Sequence, residues 1–213
     1  MERKEILKRI NKIDSDITQI KKALKTISET DYDSFPAVYE QLTIETAIRS
    51  EMIACKFRHI IYATLNVAKP ELMKKVSGTH GIEMSYADDV FTVILPSLLP
   101  KKHKSTNLEF IFDPLFFALE RYCAAECINK FCECVVCFEH IYSRETPARC
   151  IRDYDNIELK QILDIITTFV MTDDSGALCD MYNTTGYGAK DMTRVSVMDK
   201  NKFKEWIAVR CSF

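Results

Sequence analysis

The sequence predicts an α+β protein, in which an antiparallel helical hairpin precedes a mixed or antiparallel sheet with helices packed on one face. In the first third, apolar residues recur at alternating steps of four and three, which is typical of a long helix with one apolar seam. Beyond it, short runs rich in Val, Ile, Cys and aromatic residues alternate with helical patterns. The chain has 213 residues, of which 47% are hydrophobic and 28% charged, a composition that can form a buried core.

The first third predicts two long helices joined by a short connection, which favours an antiparallel hairpin. The seam of the first helix consists of Ile6, Ile10, Ile13, Ile17, Ile20, Leu24 and Ile27. The second helix is expected over residues 36–66, with Pro36 in its first turn, where proline is tolerated. The seam is interpreted either as packing within this arm or on the main domain, or as pairing with a second copy. The arm is also a candidate surface for a protein partner.

Residues 70–81 predict a linker with at most one helical turn. We therefore expect a helical arm over residues 1–76 and an α+β domain over residues 85–213. The predicted strands of this domain are residues 90–95, 107–112, 131–142, 177–182 and 193–198, with 183–190 as the hairpin loop between the last two. The predicted helices are residues 113–129 capped by Asp113, 156–170 capped by Asp155 or Asn156, and a closing helix after Asp199 that contains Trp206. The order is β-β-α-β-α-β-β-α.

Charge and cysteine usage exclude some classes of protein. A net charge of −2 and an isoelectric point near 6.1 give no global positive field for nucleic acid. No signal peptide and no apolar run of about 18 residues is evident, so we expect no membrane span and a cytoplasmic location with reduced thiols. Nine cysteines, an odd number, argue against a disulfide framework. The cluster around Cys134 and Cys137 is interpreted as core packing, the alternative being a zinc or redox site.

Aspartates are the most informative polar residues. Asp153 and Asp155 stand two apart, so in an extended segment both side chains leave the same face. Asp173 and Asp174 follow the next predicted helix. Carboxylate oxygens are the ligands that Mg²⁺ requires, and Mg²⁺ serves in phosphodiester cleavage. The alternative interpretation is a helix cap followed by a polar turn.

Several segments together resemble the RusA-type Holliday junction resolvases of prophages and bacteria. They are a strand ending in Leu-Pro (residues 93–96), the motif Arg-Asp-x-Asp-Asn (residues 152–156), an internal Leu-Asp (residues 163–164) and an Asp-Asp pair (residues 173–174) before a strand. The resemblance covers about residues 90–198 and leaves the first third unexplained. It implies a Mg²⁺-dependent endonuclease that acts on branched DNA. The alternative is a noncatalytic binding or adaptor protein of a phage or mobile element that retains the resolvase-like fold.

The resemblance also implies roles for particular residues. Asp153, Asp155 and Asp174 correspond to the catalytic, Mg²⁺-binding carboxylates, Asp173 to a neighbouring or turn residue, and Asn156 to a helix cap. The family places a lysine four residues after its second Asp; this position is Leu159 here, and Lys160 is the nearest candidate. The candidate DNA-binding residues are Lys101, Lys102, Lys104, Arg144, Arg149 and Arg152. Residues 85–213 nevertheless hold 15 Lys and Arg against 19 Asp and Glu, a balance of −4, whereas residues 1–84 hold 14 against 12.

Helix length predicts how such a site is assembled. A straight helix over residues 157–170 is about 20 Å long and separates Asp153 and Asp155 from Asp174. The two groups could then scarcely bind one ion within a single chain. We therefore expect a homodimer in which opposite helix ends meet across a two-fold axis and complete the site.

Overall fold

The computed structural model describes residues 2–65, 67–100, 102 and 109–210, and confirms an α+β protein with a five-stranded mixed sheet. The helices are α1 (Arg3–Glu29), α2 (Pro36–Thr64), α3 (Lys69–His80), α4 (Glu109–Glu126), α5 (Lys160–Val170) and α6 (Lys200–Arg210). The strands are β1 (Glu83–Ala87), β2 (Val90–Leu95), β3 (Cys134–Ser143), β4 (Cys179–Gly188) and β5 (Met192–Asp199). The chain divides into two compact units: Met1–Leu72 with Asn107–Phe110, and Met73–Thr106 with Ile111–Phe213.

The first unit contains the predicted antiparallel hairpin. Asp16 Oδ2 of α1 accepts a hydrogen bond from Lys56 Nζ of α2 at 2.5 Å, and Gln19 accepts one from Arg49. Later residues of α1 therefore contact earlier residues of α2, as expected for an antiparallel pair. Ile13 is buried at 3% exposure, whereas Ile10 of the same seam is 43% exposed. The seven-residue seam is thus only partly a buried core.

Helix α3 replaces the linker that the sequence predicted. Pro70 and Gly78 suggested a break, but Pro70 is the second residue of α3, where a missing N–H removes no helical hydrogen bond. Met73 is fully buried and Ser77 nearly so, so one face of α3 contributes to burial. A proline in the first turn is thus compatible with a continuous helix here.

Helix α4 likewise begins earlier than predicted. The sequence suggested a strand at residues 107–112 and a helix capped by Asp113, yet residues 109–112 are helical and Pro114 lies inside the helix; 107 and 108 are outside the described residues. Pro114 cannot donate to the carbonyl of Phe110, four residues before it. Arg58 Nη1 donates to that carbonyl at 3.3 Å instead. A long-range hydrogen bond therefore supplies what proline removes.

The sheet has the order β1-β2-β5-β3-β4, and only β3 and β4 are parallel. Strand β1 was not predicted from the sequence, and it forms an antiparallel hairpin with β2. Its turn is made by Asp88 and Asp89 with φ of 53° and 59°, the pair of positive values that a tight hairpin turn needs. Asp tolerates this conformation better than most residues, but an Asp-Asp pair is a weak turn signal compared with Asn-Gly.

The predicted β4–β5 hairpin is wrong. Strand β4 continues to Gly188 instead of ending at Tyr182, and it pairs in parallel with β3, while β5 lies on the other side of β3. The glycines suggested a loop, but they allow close strand packing: a Cβ at Gly188 would lie 2.9 Å from Ile141 Cγ2. Helix α5 forms the crossover that joins the two parallel strands.

Helices cover both faces of the sheet, although the sequence predicted one. On the first face, side chains of α4 and α5 form the main core with alternate residues of the strands. The central members of this core are Phe91, Leu115, Val136, Phe138, Ile162, Ile166 and Val195. On the second face, Val135, Cys137 and Met198 are packed against Phe203 and Trp206 of α6.

Helix α5 also begins later than predicted. Residues 154–156 form a single 3-10 turn, and Leu159 is the residue that precedes α5. Neither Asp155 nor Asn156 caps α5 as the sequence predicted. Among the described residues, no helix combines the length and apolar character needed to cross a membrane.

Candidate functional site

Asp153 and Asp155 lie in an anchored segment that follows β3. Tyr154 anchors this segment to the sheet. Its ring stacks on that of His140, with centroids 5.6 Å apart and an interplanar angle of 29°. Tyr154 Oη is also hydrogen-bonded to Thr185 Oγ1 at 3.0 Å. His140 belongs to β3 and Thr185 to β4, so the segment is held over the carboxyl halves of the two parallel strands. Both aspartates remain exposed to solvent.

Arg152 anchors the same segment from its other side. Its backbone N–H donates to Tyr142 Oη at 3.0 Å, and its Nη1 donates to the carbonyl of Leu99 at 2.5 Å. Tyr142 and Leu99 are each 1% exposed. One nitrogen of the guanidinium is therefore hydrogen-bonded to the backbone, so Arg152 has a structural role.

The start of the predicted basic loop is joined to this segment by backbone hydrogen bonds. Lys102 N–H donates to the carbonyl of Asn156 at 2.7 Å, and Glu158 N–H donates to the carbonyl of Pro100 at 3.0 Å. Lys102 is exposed, and its backbone is hydrogen-bonded to Asn156, the residue that follows Asp155. Lys101 and Lys104 lie outside the described residues. The structure thus brings one predicted basic residue next to Asp155.

Asp174 occupies the turn that precedes β4. Its backbone N–H donates to Asp173 Oδ1 at 2.9 Å, so the Asp173 carboxylate stabilises the turn. Asp174 is half-buried and close enough to Cys179, the first residue of β4, for its charge to affect that thiol. Burial raises the pKa of Cys179 most strongly, and the negative charge of Asp174 raises it further.

The two acidic groups lie at opposite ends of β4. Tyr154 is anchored at Thr185, and Asp174 adjoins Cys179, six residues away, or about 20 Å along a strand. Helix α5, with 11 residues instead of the predicted 14, still spans about 16 Å between them. Within the described parts of the chain, no three His, Cys, Asp or Glu side chains are grouped to hold a metal ion. A single chain does not bring Asp153, Asp155 and Asp174 together.

The remaining candidate residues are dispersed over the surface. Lys160 is exposed and forms an ion pair with Asp164 at 3.6 Å, one turn along α5. Arg144 and Arg149 are exposed, and the Arg144 backbone N–H donates to the Gly188 carbonyl at 3.1 Å. Arg144 therefore lies at the carboxyl end of the parallel pair, on the same side as Asp153 and Asp155.

The residues that position the acidic motif were not predicted from the sequence. His140 is 1% exposed, and burial lowers its pKa, helped by the positive charge of Arg152 and opposed by Asn183. Among the described residues, neither ring nitrogen of His140 has a hydrogen bond of ordinary geometry. No sequence signal links His140 to Tyr154 or Thr185, because the link depends on the parallel pairing of β3 with β4.

Among the described residues, the cysteines are not grouped to hold a metal ion. Cys134 belongs to the core of the first face and Cys137 to that of the second, so the two side chains point away from each other. Burial, followed by the neighbouring Cys179, raises the pKa of Cys134 to about 12. Such a thiol stays protonated at neutral pH and is a poor nucleophile or metal ligand. Cys123, Cys127, Cys132, Cys134, Cys150 and Cys179 are free thiols.

Comparison with known proteins identifies a family whose function is unknown. A family of unknown function, DUF6100, matches residues 2–212. The match therefore spans both the helical hairpin and the sheet. None of the curated proteins matches the chain.

Proposed function

The chain belongs to the DUF6100 family, and we propose that it is a RusA-like, Mg²⁺-dependent endonuclease that acts on branched DNA as a homodimer in the cytoplasm. The observation that carries this proposal is the anchoring of Asp153 and Asp155. Both carboxylates are exposed on a segment fixed by Tyr154 and Arg152, beside Lys102. A Mg²⁺-dependent nuclease needs carboxylates that can hold the ion at a site open to the DNA, with positive charge nearby for the phosphates.

The donor set suits Mg²⁺. This ion is usually held by one or two carboxylates, with water and substrate phosphate at its other positions. Asp153 and Asp155 would hold it, with Asp174 as the third candidate, and the ion would supply a more acidic water and stabilise charge on the phosphate. Lys102 and Arg144 would bind the flanking phosphates of the DNA. Tyr154 would keep the two carboxylates in place.

Cleavage of a synthetic four-way DNA junction in the presence of Mg²⁺ tests the proposal. We expect Asp155→Asn to lower cleavage by about 100-fold or more, because it removes a charged ligand. Asp14→Asn is the matched control, since Asp14 is an exposed aspartate of α1 and belongs to the other unit of the chain. Equal cleavage by the wild type and Asp155→Asn would overturn the proposal, as would failure of the wild type to cleave any branched or linear DNA.

A second candidate function is that of a noncatalytic binding or adaptor protein of a phage or mobile element. It is favoured by a row of exposed apolar side chains on α2, formed by Ile44, Ile48 and Met52 at 46%, 52% and 42% exposure. These residues follow each other at four-residue steps, so they share one helix face that could take a protein partner. Junction binding without cleavage would favour this candidate. Loss of partner binding in the Ile48→Lys variant would also favour it.

A further inference from the structure

Strand β4 forms one edge of the sheet and presents unpaired backbone groups. Among the described residues, β4 pairs with β3 and with no other strand. It has 10 residues, whereas β1 at the opposite edge has 5. A long unpaired edge strand is a template for another strand.

The backbone groups that face the open edge can be identified. Cys134 N–H donates to the carbonyl of Leu178 at 2.9 Å, and Arg144 N–H donates to that of Gly188 at 3.1 Å. Successive residues of a strand direct their N–H and C=O groups to alternate edges, so the even-numbered residues of β4 face β3. The odd-numbered residues, among them Met181, Asn183 and Thr185, therefore direct their N–H and C=O groups outward.

This edge lacks the features that usually prevent strand pairing. Residues 181–188 contain no charged residue and no proline, and the charged residue of β4, Asp180, forms an ion pair with Lys200 at 3.0 Å. Met181 is 47% exposed and Tyr187 59% exposed. Protected edges carry lysine, proline or a bulge, or are very short.

We propose that β4 pairs antiparallel with β4 of a second copy, which joins two sheets across a two-fold axis. The charges at its ends support a copy of the same chain as the partner. Asp173 and Asp174 precede the strand and Lys190 follows it. Antiparallel pairing brings the acidic end of one strand to the basic end of the other, twice per dimer.

The same pairing completes the acidic site, a step that rests on the proposed nuclease function. Tyr182 is the midpoint between Cys179, near Asp174, and Thr185, which anchors Tyr154. A pairing centred on Tyr182 sets Thr185 opposite Cys179 of the partner subunit, with Cα atoms about 5 Å apart. Asp153 and Asp155 then adjoin Asp174 of the partner subunit, although the same residues lie at opposite ends of β4 within one chain.

The mass of the protein in solution tests the edge pairing. We expect a wild-type dimer by sedimentation or light scattering. Met181→Pro removes an outward N–H and should weaken the dimer by about 100-fold, whereas Met181→Ala keeps the N–H and should remain a dimer. Circular dichroism checks that the proline variant stays folded. A wild-type monomer, or a folded Met181→Pro dimer, overturns the proposal; if the proline variant unfolds, Met181→Lys replaces it with the same expected loss, because this side chain is exposed and lysine protects an edge strand.

Co-expression of two inactive variants tests the composite site. Half of the dimers formed by Asp155→Asn and Asp174→Asn contain one of each chain, and each has one intact site if Asp174 acts across the interface. The mixture should therefore regain about one quarter of the wild-type activity, although neither variant is active alone. No recovery overturns the composite site. A dimeric wild type that cleaves no DNA overturns the nuclease function but leaves the edge pairing intact.

Discussion

His140 connects the sheet to the acidic segment, and its burial couples its protonation to folding. Its ring lies under Tyr154 and is 1% exposed, so protonation would bury a charge beside Arg152. Burial keeps its pKa below the ordinary value of 6.5. The folded state therefore contains a neutral imidazole over a pH range in which the unfolded chain is already protonated.

The consequence is a pH-dependent stability with a definite sign. His140 contributes fully above about pH 6.5, and stability falls as the pH drops towards the lowered pKa, by at most about 1.4 kcal/mol per pH unit. We expect the melting temperature of the wild type to fall more between about pH 7.5 and 5.5 than that of His140→Asn, which cannot titrate there. Scanning calorimetry of both proteins measures the difference. Equal losses would mean that folding does not lower the pKa of His140.

Individual residues differ in how well the sequence predicted them. The exposure of Asp153 and Asp155 follows from their charge and their place in a polar segment. The role of Tyr154 does not, because its partners His140 and Thr185 stand 14 residues before it and 31 after it. Only the parallel register of β3 and β4 brings these three side chains together.

At the scale of an element, the apolar seam of α1 offers two equivalent residues in different surroundings. Ile13 is 3% exposed and Ile10 is 43% exposed. We expect Ile13→Ala to destabilise the hairpin by about 2–5 kcal/mol, because it removes buried methyl groups and leaves a cavity. Ile10→Ala should cost less than about 1 kcal/mol. Far-ultraviolet circular dichroism during thermal unfolding and hydrogen exchange of α1 amides measure both.

The comparison also separates the two interpretations of the seam. If the seam packs within the hairpin, only the substitution at the buried Ile13 lowers stability, and this loss of stability does not depend on protein concentration. If it pairs with a second copy, Ile10→Ala is also destabilising and the loss grows on dilution. A concentration-dependent effect at Ile10 would place a dimer contact on α1.

The elements show where sequence patterns are informative. Strand β2 has the predicted bounds, because a β-branched run ended by proline is a strong signal. The order β-β-α-β-α-β-β-α is also found, but its first pair is β1 with β2, and the predicted strand at residues 107–112 is helical from 109 onwards. Pro114 was predicted to begin a helix capped by Asp113, whereas it lies inside α4, where Arg58 donates to the carbonyl of Phe110. Gly186 and Gly188 were predicted to lie in a loop, whereas both belong to β4 and Gly188 packs closely on Ile141.

For the whole molecule, charge is the main constraint on DNA binding. Residues 85–213 have a balance of −4, so an interface with DNA must be a local patch. Lys102 and Arg144 are exposed and lie on the side of the sheet that carries Asp153 and Asp155. These two residues are therefore the described part of the proposed patch.

Salt dependence measures this patch directly. Each phosphate contact contributes about 0.9 to the slope of log K against log salt, so replacing both Lys102 and Arg144 with Gln should lower the slope by about 1.8. The matched control replaces Lys8 and Lys12 of α1, which removes the same charge from the other unit and should leave the slope unchanged. Fluorescence anisotropy with a labelled junction over a range of salt concentrations gives both slopes. An equal decrease in the two variants would show that net charge alone governs binding, and a decrease only in the control would move the DNA interface to the helical hairpin.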